Sequence, residues 1–287
     1  MASIEMVDFA GIIGHLWDQW GKFLPVPLSH LLTYTGRIAV GYDEPIVLFG
    51  ISIFAIARGS DAVSGELNRG TLEMLLAQPI SRLQVLYTQA LVTITCLALL
   101  AAGTWAGTWL GIHSATVEES IPPPQLKLPL LPAITLPIQS PGTIETPMRD
   151  KVDPLVFLPG AFNLFCFGVA VAGVSTLVSA CDRYRWRTIG IVAGLFVASM
   201  ILKILGIAFE HLGWMRKLSL LSAYEPQVFI AIAVRSPGET WSLARYADGA
   251  LVELGPLGYN LILLGVALTG YVAAGIVFHR RDLPAPL

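Results

Sequence analysis

The chain has 287 residues, of which 54% are hydrophobic and only 13% charged, with a formal net charge of −2. Soluble domains carry about 25% charged residues, so this chain cannot cover a water-facing surface in the usual way, and a soluble globular domain is excluded. The balanced charge gives no reason to expect nucleic acid as a partner.

The opening segment, Ile4–Leu24, repeats Phe9, Ile12, Ile13, Leu16, Trp17, Trp20 and Phe23 at helical spacing, interrupted by Asp8, His15, Asp18 and Lys22. That is an amphipathic pattern with tryptophans suited to a membrane interface. It lacks the basic start, continuous apolar core and cleavage site of a signal peptide. Burying its charges would cost about 2.5–3.5 kcal/mol for each central Asp or Lys, so residues 1–44 are expected to form an amphipathic segment outside the membrane.

A membrane span needs about 20 mostly apolar residues. Pro45–Ala57 is apolar but short, and reaches span length only by borrowing Ile38–Tyr42 before it or Gly59–Ser64 after it. Leu83–Ile112, Leu155–Ala180, Thr188–Phe209 and Pro256–Phe278 reach it unaided. The expected fold is therefore all-α, a polytopic transmembrane helical bundle of five spans forming one domain. Its parts are residues 45–112 (two spans and their loop), 113–154 (a loop), 155–210 (two spans), 211–255 (a second loop) and 256–287 (the last span and tail).

Basic residues in short loops set orientation. Arg58, Arg69 and Arg82 fall between the first and second spans, Arg183, Arg185 and Arg187 between the third and fourth, and Arg280 and Arg281 after the last. Five alternating spans put all of them on one side, which is expected to be cytoplasmic together with the C-terminus. The N-terminus then lies outside. A first span absent from this sequence, or partial insertion of Ile4–Leu24, would account for that arrangement.

The outer loop Glu118–Asp153 contains Pro122, Pro123, Pro124, Pro129, Pro132, Pro137, Pro141 and Pro147, a density that prevents regular helix and favours extended, solvated chain. The second outer loop carries two apolar runs too short to span, Leu218–Ala223 and Val228–Val234, separated by Glu225–Pro226. Proline is favoured in the first turn of a helix and disfavoured inside it. The pattern predicts two short helices with a break, dipping into the outer leaflet and returning. Broken backbone at that depth needs protein or water around it.

Lys203 is the ionisable residue that lies well inside a span. A lysine there either snorkels or faces a wet pathway. Cys96, Cys166 and Cys181 show no metal-ligand spacing. There is no H-E-x-x-H or G-x-S-x-G pattern for an intramembrane hydrolase, and no G-x-x-x-x-G-K-[ST] phosphate loop. No enzyme activity, metal or cofactor is expected in this chain. An ion-driven secondary transporter and a non-transporting membrane anchor remain the alternatives on residues alone.

The loop between the first two spans is the most informative stretch. Glu66, Arg69 and Glu73 stand three and four apart and can pair on one helical face. Leu67, Thr71, Met74 and Leu75 line another. Pro79 ends the segment, and Ser81 with Gln84 forms a capping box for the next span. A short helix held between two spans can transmit force, or can simply rest on headgroups.

The run Gly65-Glu66-x-x-Arg69-Gly70-Thr71-Leu72-Glu73-x-Leu75-Leu76-Ala77-x-Pro79-Ile80-Ser81-Arg82 resembles the signature of type-2 ATP-binding-cassette (ABC) exporter permeases. Tyr224-Glu225-Pro226 before the last span and the closing Phe278-His-Arg-Arg-Asp-Leu283-Pro also resemble that family, in the right order. Family members have six spans preceded by a cytoplasmic elbow helix, and neither the elbow nor the first span is visible here. The resemblance implies a permease that exports a substrate with a separate ABC ATPase, which would hold the ATP and Mg. A second permease copy would complete the pathway within the cell membrane. It implies that Asp61–Gln78 is the cytoplasmic coupling helix, carried by Glu66, Arg69, Gly70, Thr71, Leu72, Glu73, Leu75, Leu76, Pro79 and Arg82. Tyr224, Glu225 and Pro226 would form the outer gate.

Overall fold

In the computed structural model, residues 26–120, 125–126, 134–135, 143–247 and 250–281 are described. The expected Ile4–Leu24 amphipathic segment, most prolines of the Glu118–Asp153 loop and the tail from Asp282 lie outside them. Five helices are long and apolar enough to span: Tyr34–Arg69, Arg82–Ser114, Pro154–Cys181, Arg185–Ala208 and Pro256–Arg280. They alternate in direction, as the sequence requires.

The first span draws on both of its neighbouring stretches. Tyr34–Asp43, capped by the Thr33 hydroxyl, stacks on Pro45–Ser60, with Glu44 in an extended conformation between them. Pro45 is tolerated because it occupies the first turn of the second helix, where its missing N–H has no partner to lose. The rod thus begins ahead of Pro45, where the apolar run itself starts.

The third span is the axis of the bundle. Within its apolar window 72% of residues are buried, against 11% for the fourth span. Small residues permit this. A Cβ added to Gly270 of the fifth span would lie 2.7 Å from the Gly173 carbonyl carbon of the third, and one on Gly173 would lie 2.8 Å from the Ala267 oxygen. The two backbones cross in contact, as small residues allow in membranes. Around that crossing Ile51, Leu97, Leu164, Phe167, Leu263 and Tyr271 form the main core.

Two ends emerge. One gathers the arginines. Arg82 donates to the Arg281 carbonyl at 2.7 Å, Arg281 donates to the Ala180 and Asp182 carbonyls at 2.8 and 3.0 Å, and Arg185 pairs with Asp61 at 3.5 Å. The other end carries extended chain. Thr116–Ser120 pairs antiparallel with Thr143–Pro147, Gln125–Leu126 with Ile134–Thr135, and Ala244–Ala247 with Ala250–Leu254. The expected pair of short elements is present as a 3₁₀ turn, Leu220–Ala223, and the helix Pro226–Arg235, but the 87° bend falls ahead of both, between a further 3₁₀ turn, Glu210–Leu218, and Leu220, and not at Glu225–Pro226.

Candidate functional site

At the arginine end, the α-helix of the first span passes directly into a π-helical turn, Asp61–Gly65. Such turns are rare and recur at functional positions. This one is gripped from three sides. The Ser64 and Val63 amides donate to the Ser179 hydroxyl at 2.9 and 3.2 Å, and the Ser64 and Thr188 hydroxyls meet at 3.2 Å. The Ser179 hydroxyl itself donates to the Ser60 carbonyl at 3.0 Å. Ser60, Ser64, Ser179 and Thr188 are fully buried, so the knot ties the first span to the third and fourth in a dry environment, where satisfied polar groups are rigid and costly to break.

The chain then forms two short helices, Glu66–Arg69 and Thr71–Leu76. Gly70 separates them at φ 73°, a left-handed conformation that glycine adopts without strain. Arg69 reaches back to Asp61 at 2.7 Å and to Glu66 at 2.8 Å, and the Thr71 hydroxyl donates to the Glu66 carboxylate. Glu66, Arg69 and Thr71 thus brace the segment internally, as the spacing of the first two predicted. Leu72 is fully buried, packed with Val63, Leu86, Ala274 and Phe278 from the first, second and fifth spans. Here the structure corrects the expected apolar face of Leu67, Thr71, Met74 and Leu75. Met74 is 73% exposed, while Leu72 is the anchor. The left-handed turn at Gly70 resets the helical phase, which a continuous-helix projection cannot anticipate.

Glu73, Leu75 and Leu76 sit on the second short helix, with Leu75 half-buried. Pro79 is exposed just beyond it. The capping box is formed in both directions, Gln84 N–H to Ser81 at 3.1 Å and Ser81 N–H to Gln84 at 2.8 Å. Arg82 starts the second span and locks it to the end of the fifth.

At the hairpin end, the structure joins two features that the sequence presented separately. The Lys203 ammonium pairs with Glu225 at 3.0 Å and donates to the Leu221 and Tyr224 carbonyls at 3.0 and 3.1 Å. Eighteen residues past Arg185, it lies about 27 Å along its helix, near the hairpin end of Arg185–Ala208 and not well inside it as expected. It pins the break that precedes Pro226. Tyr224 is 1% exposed, stacks near Phe167 with centroids 5.0 Å apart, and donates its hydroxyl to the Tyr42 carbonyl. Pro226 is buried at the first turn of its helix.

Sequence reasoning missed Asn163. Its amide donates to the Ala223 carbonyl at 3.0 Å and to Asn260 at 2.7 Å, and accepts from the Glu225 N–H at 3.0 Å. An asparagine inside an otherwise apolar span was the available signal, since a buried amide must find partners. Asp43 and Gln227 were also missed; both line a cavity of about 610 Å³ together with Lys203 and Glu225. Among the described residues no group of His, Cys, Asp and Glu could hold a metal ion.

No curated protein and no solved structure matches this chain. Residues 4–283 match the family described as ABC-2 family transporter protein. That match spans nearly the whole sequence and agrees with the helical bundle, so the chain belongs to the ABC-2 transporter family, as a multi-pass membrane permease subunit of a kind that is not itself the ATPase and generally works with a separate one.

Proposed function

We propose that this permease exports a substrate, driven by a separate ABC ATPase that docks on Asp61–Gln78. The observation that carries the reading is the way this segment is held. Its inner side is fixed to the bundle by the serine knot and Leu72, while Arg69, Gly70, Met74 and Pro79 face outward. A lever needs both a rigid attachment and a free face. ATP and Mg belong to the partner, and a second copy of the chain completes the pathway. The arginine end, the C-terminus and the docked ATPase share the cytoplasmic side, in keeping with the basic-residue rule.

The test is the double substitution Glu66→Ala and Arg69→Ala, read by co-purification of the ATPase and by substrate-stimulated ATP hydrolysis. Weakened association or hydrolysis without transport is expected. Unchanged coupling sinks the assignment. A cysteine in place of Arg185, with Cys96, Cys166 and Cys181 removed, should resist an impermeant reagent in intact cells; labelling reverses the orientation.

A further inference from the structure

The cavity at the hairpin end has an unusual balance of donors and acceptors. Lys203 is its deep cation, and all three of its N–H groups are spent on Leu221, Tyr224 and Glu225. Asp43 faces Lys203, Glu225 and the Gln227 amide. Two carboxyl groups, Asp43 and Glu225, thus stand beside the one ammonium of Lys203. Gln227 is 5% exposed, and its Oε1 atom is buried without a hydrogen-bond partner. An acceptor so placed lacks a donor that the protein does not supply.

The rest of the wall mixes polar groups (Arg216, Ser222, Arg245 and Glu253, with the Ser222 hydroxyl also buried without a partner) with an apolar stripe. Met200, Ile204 and Ile207 of the fourth span face Val228 and Phe229 of the outer helix. At the mouth, Arg245 is paired with Glu239 at 3.2 Å, and Arg216 is exposed. The cavity thus offers acceptors around Asp43, Glu225 and Gln227, and an apolar stripe along the fourth span.

We propose that this cavity binds the primary ammonium group of an amphiphile, with the apolar body lying against the fourth span. An –NH₃⁺ group carries three donors and one positive charge. It supplies the donor that Gln227 Oε1 lacks, and its charge suits the Asp43 and Glu225 carboxyl groups beside it. A quaternary ammonium carries the same charge but no N–H, and an anion brings only acceptors to the oxygens of Gln227, Asp43 and Glu225. That the bound amphiphile is cargo rests on the permease reading above; binding itself does not.

The experiment uses the full chain in phosphatidylcholine nanodiscs, with neither ATP nor ATPase present. Loss of the coupling assignment would therefore leave its result intact. Binding of radiolabelled dodecylamine is measured against empty nanodiscs, with unlabelled dodecyltrimethylammonium and dodecyl sulfate as competitors. Dodecyltrimethylammonium should compete about tenfold more weakly than unlabelled dodecylamine, and dodecyl sulfate more weakly still, as expected when charge-assisted hydrogen bonds are lost. Gln227→Leu and the isosteric Asp43→Asn should each weaken dodecylamine binding about tenfold. Equal competition by the trimethyl compound, stronger competition by dodecyl sulfate, or unchanged binding in both variants would overturn the proposal. The competitor series needs no variant, so a variant that fails to fold leaves the outcome decided.

Discussion

Replacing Lys203 with methionine keeps the length and apolar stem of the side chain and removes the ammonium. The change strands the Glu225 carboxylate and the Leu221 and Tyr224 carbonyls at once. Breaking a buried ion pair from one side costs about 3–5 kcal/mol. The side chains of Lys203 and Glu225 keep 22% and 13% of their exposure, and water reaching them lowers the cost to about 3 kcal/mol. For a chain of this size about 2–4 °C is lost per kcal/mol, so the thermal midpoint should fall by about 6–12 °C. Intrinsic fluorescence during heating in detergent would measure it. Adding Glu225→Gln to Lys203→Met should recover much of the loss, because the second change removes the stranded charge. A midpoint for Lys203→Met within about 2 °C of the native chain, or a double variant that loses the full sum of the two single changes, would refute the view that Lys203 clamps the break before Pro226.

Other consequences can be checked as directly. Asn163→Leu should destabilise by about 3 kcal/mol, since it orphans the Ala223 carbonyl, the Glu225 N–H and the Asn260 side chain; the same heating assay reads it, and Asn260→Leu in addition should cost less than a second full penalty. Gly270→Val puts a branched side chain where even a Cβ meets the Gly173 backbone at 2.7 Å, so the third and fifth spans must separate, at a cost of about 1–3 kcal/mol or more, and crosslinking between cysteines placed on those spans should slow. His30 is buried, and burial together with the Arg235 cation holds its imidazole below the ordinary value. A lowered imidazole pKa means that the folded state favours the neutral ring, so its contribution is present above the ordinary histidine pKa and is lost as pH falls below it. Amide protection at Leu31 and Thr33 should therefore drop on acidification, and the drop should vanish in His30→Gln.

Hydropathy made the spans legible because lipid demands long apolar runs with every backbone group satisfied internally. It could not rank them by burial. The fourth span has mean hydropathy 2.4 and is 11% buried, the third 2.1 and 72% buried. In lipid an outward leucine is as comfortable as an inward one, so the buried span is marked by small residues such as Gly160, Gly168, Ala172 and Gly173 instead. Glu66 and Arg69 were legible because their spacing survives within one short helix. Leu72 was not, because one left-handed residue before it changes which side chains face inward. Lys203 and Glu225 each stood out, yet their meeting depends on an 87° bend that brings residues 22 apart into contact. Asp43 reaches the same cavity from a different span, a closure that local spacing cannot encode.

The π-helical turn at Asp61–Gly65 amounts to one extra residue inserted into a helix. Each residue of an α-helix advances the chain by about 100° around the axis. The compass bearing of the short helix directly beyond that turn, Glu66–Arg69, therefore depends on a count of residues as well as on their chemistry. Removing one residue from Asp61–Gly65 would leave the apolar composition of the other four spans untouched and swing Glu66–Arg69 about a quarter turn. Aligned relatives should consequently keep the number of residues from Pro45 to Glu66 more strictly than their identities.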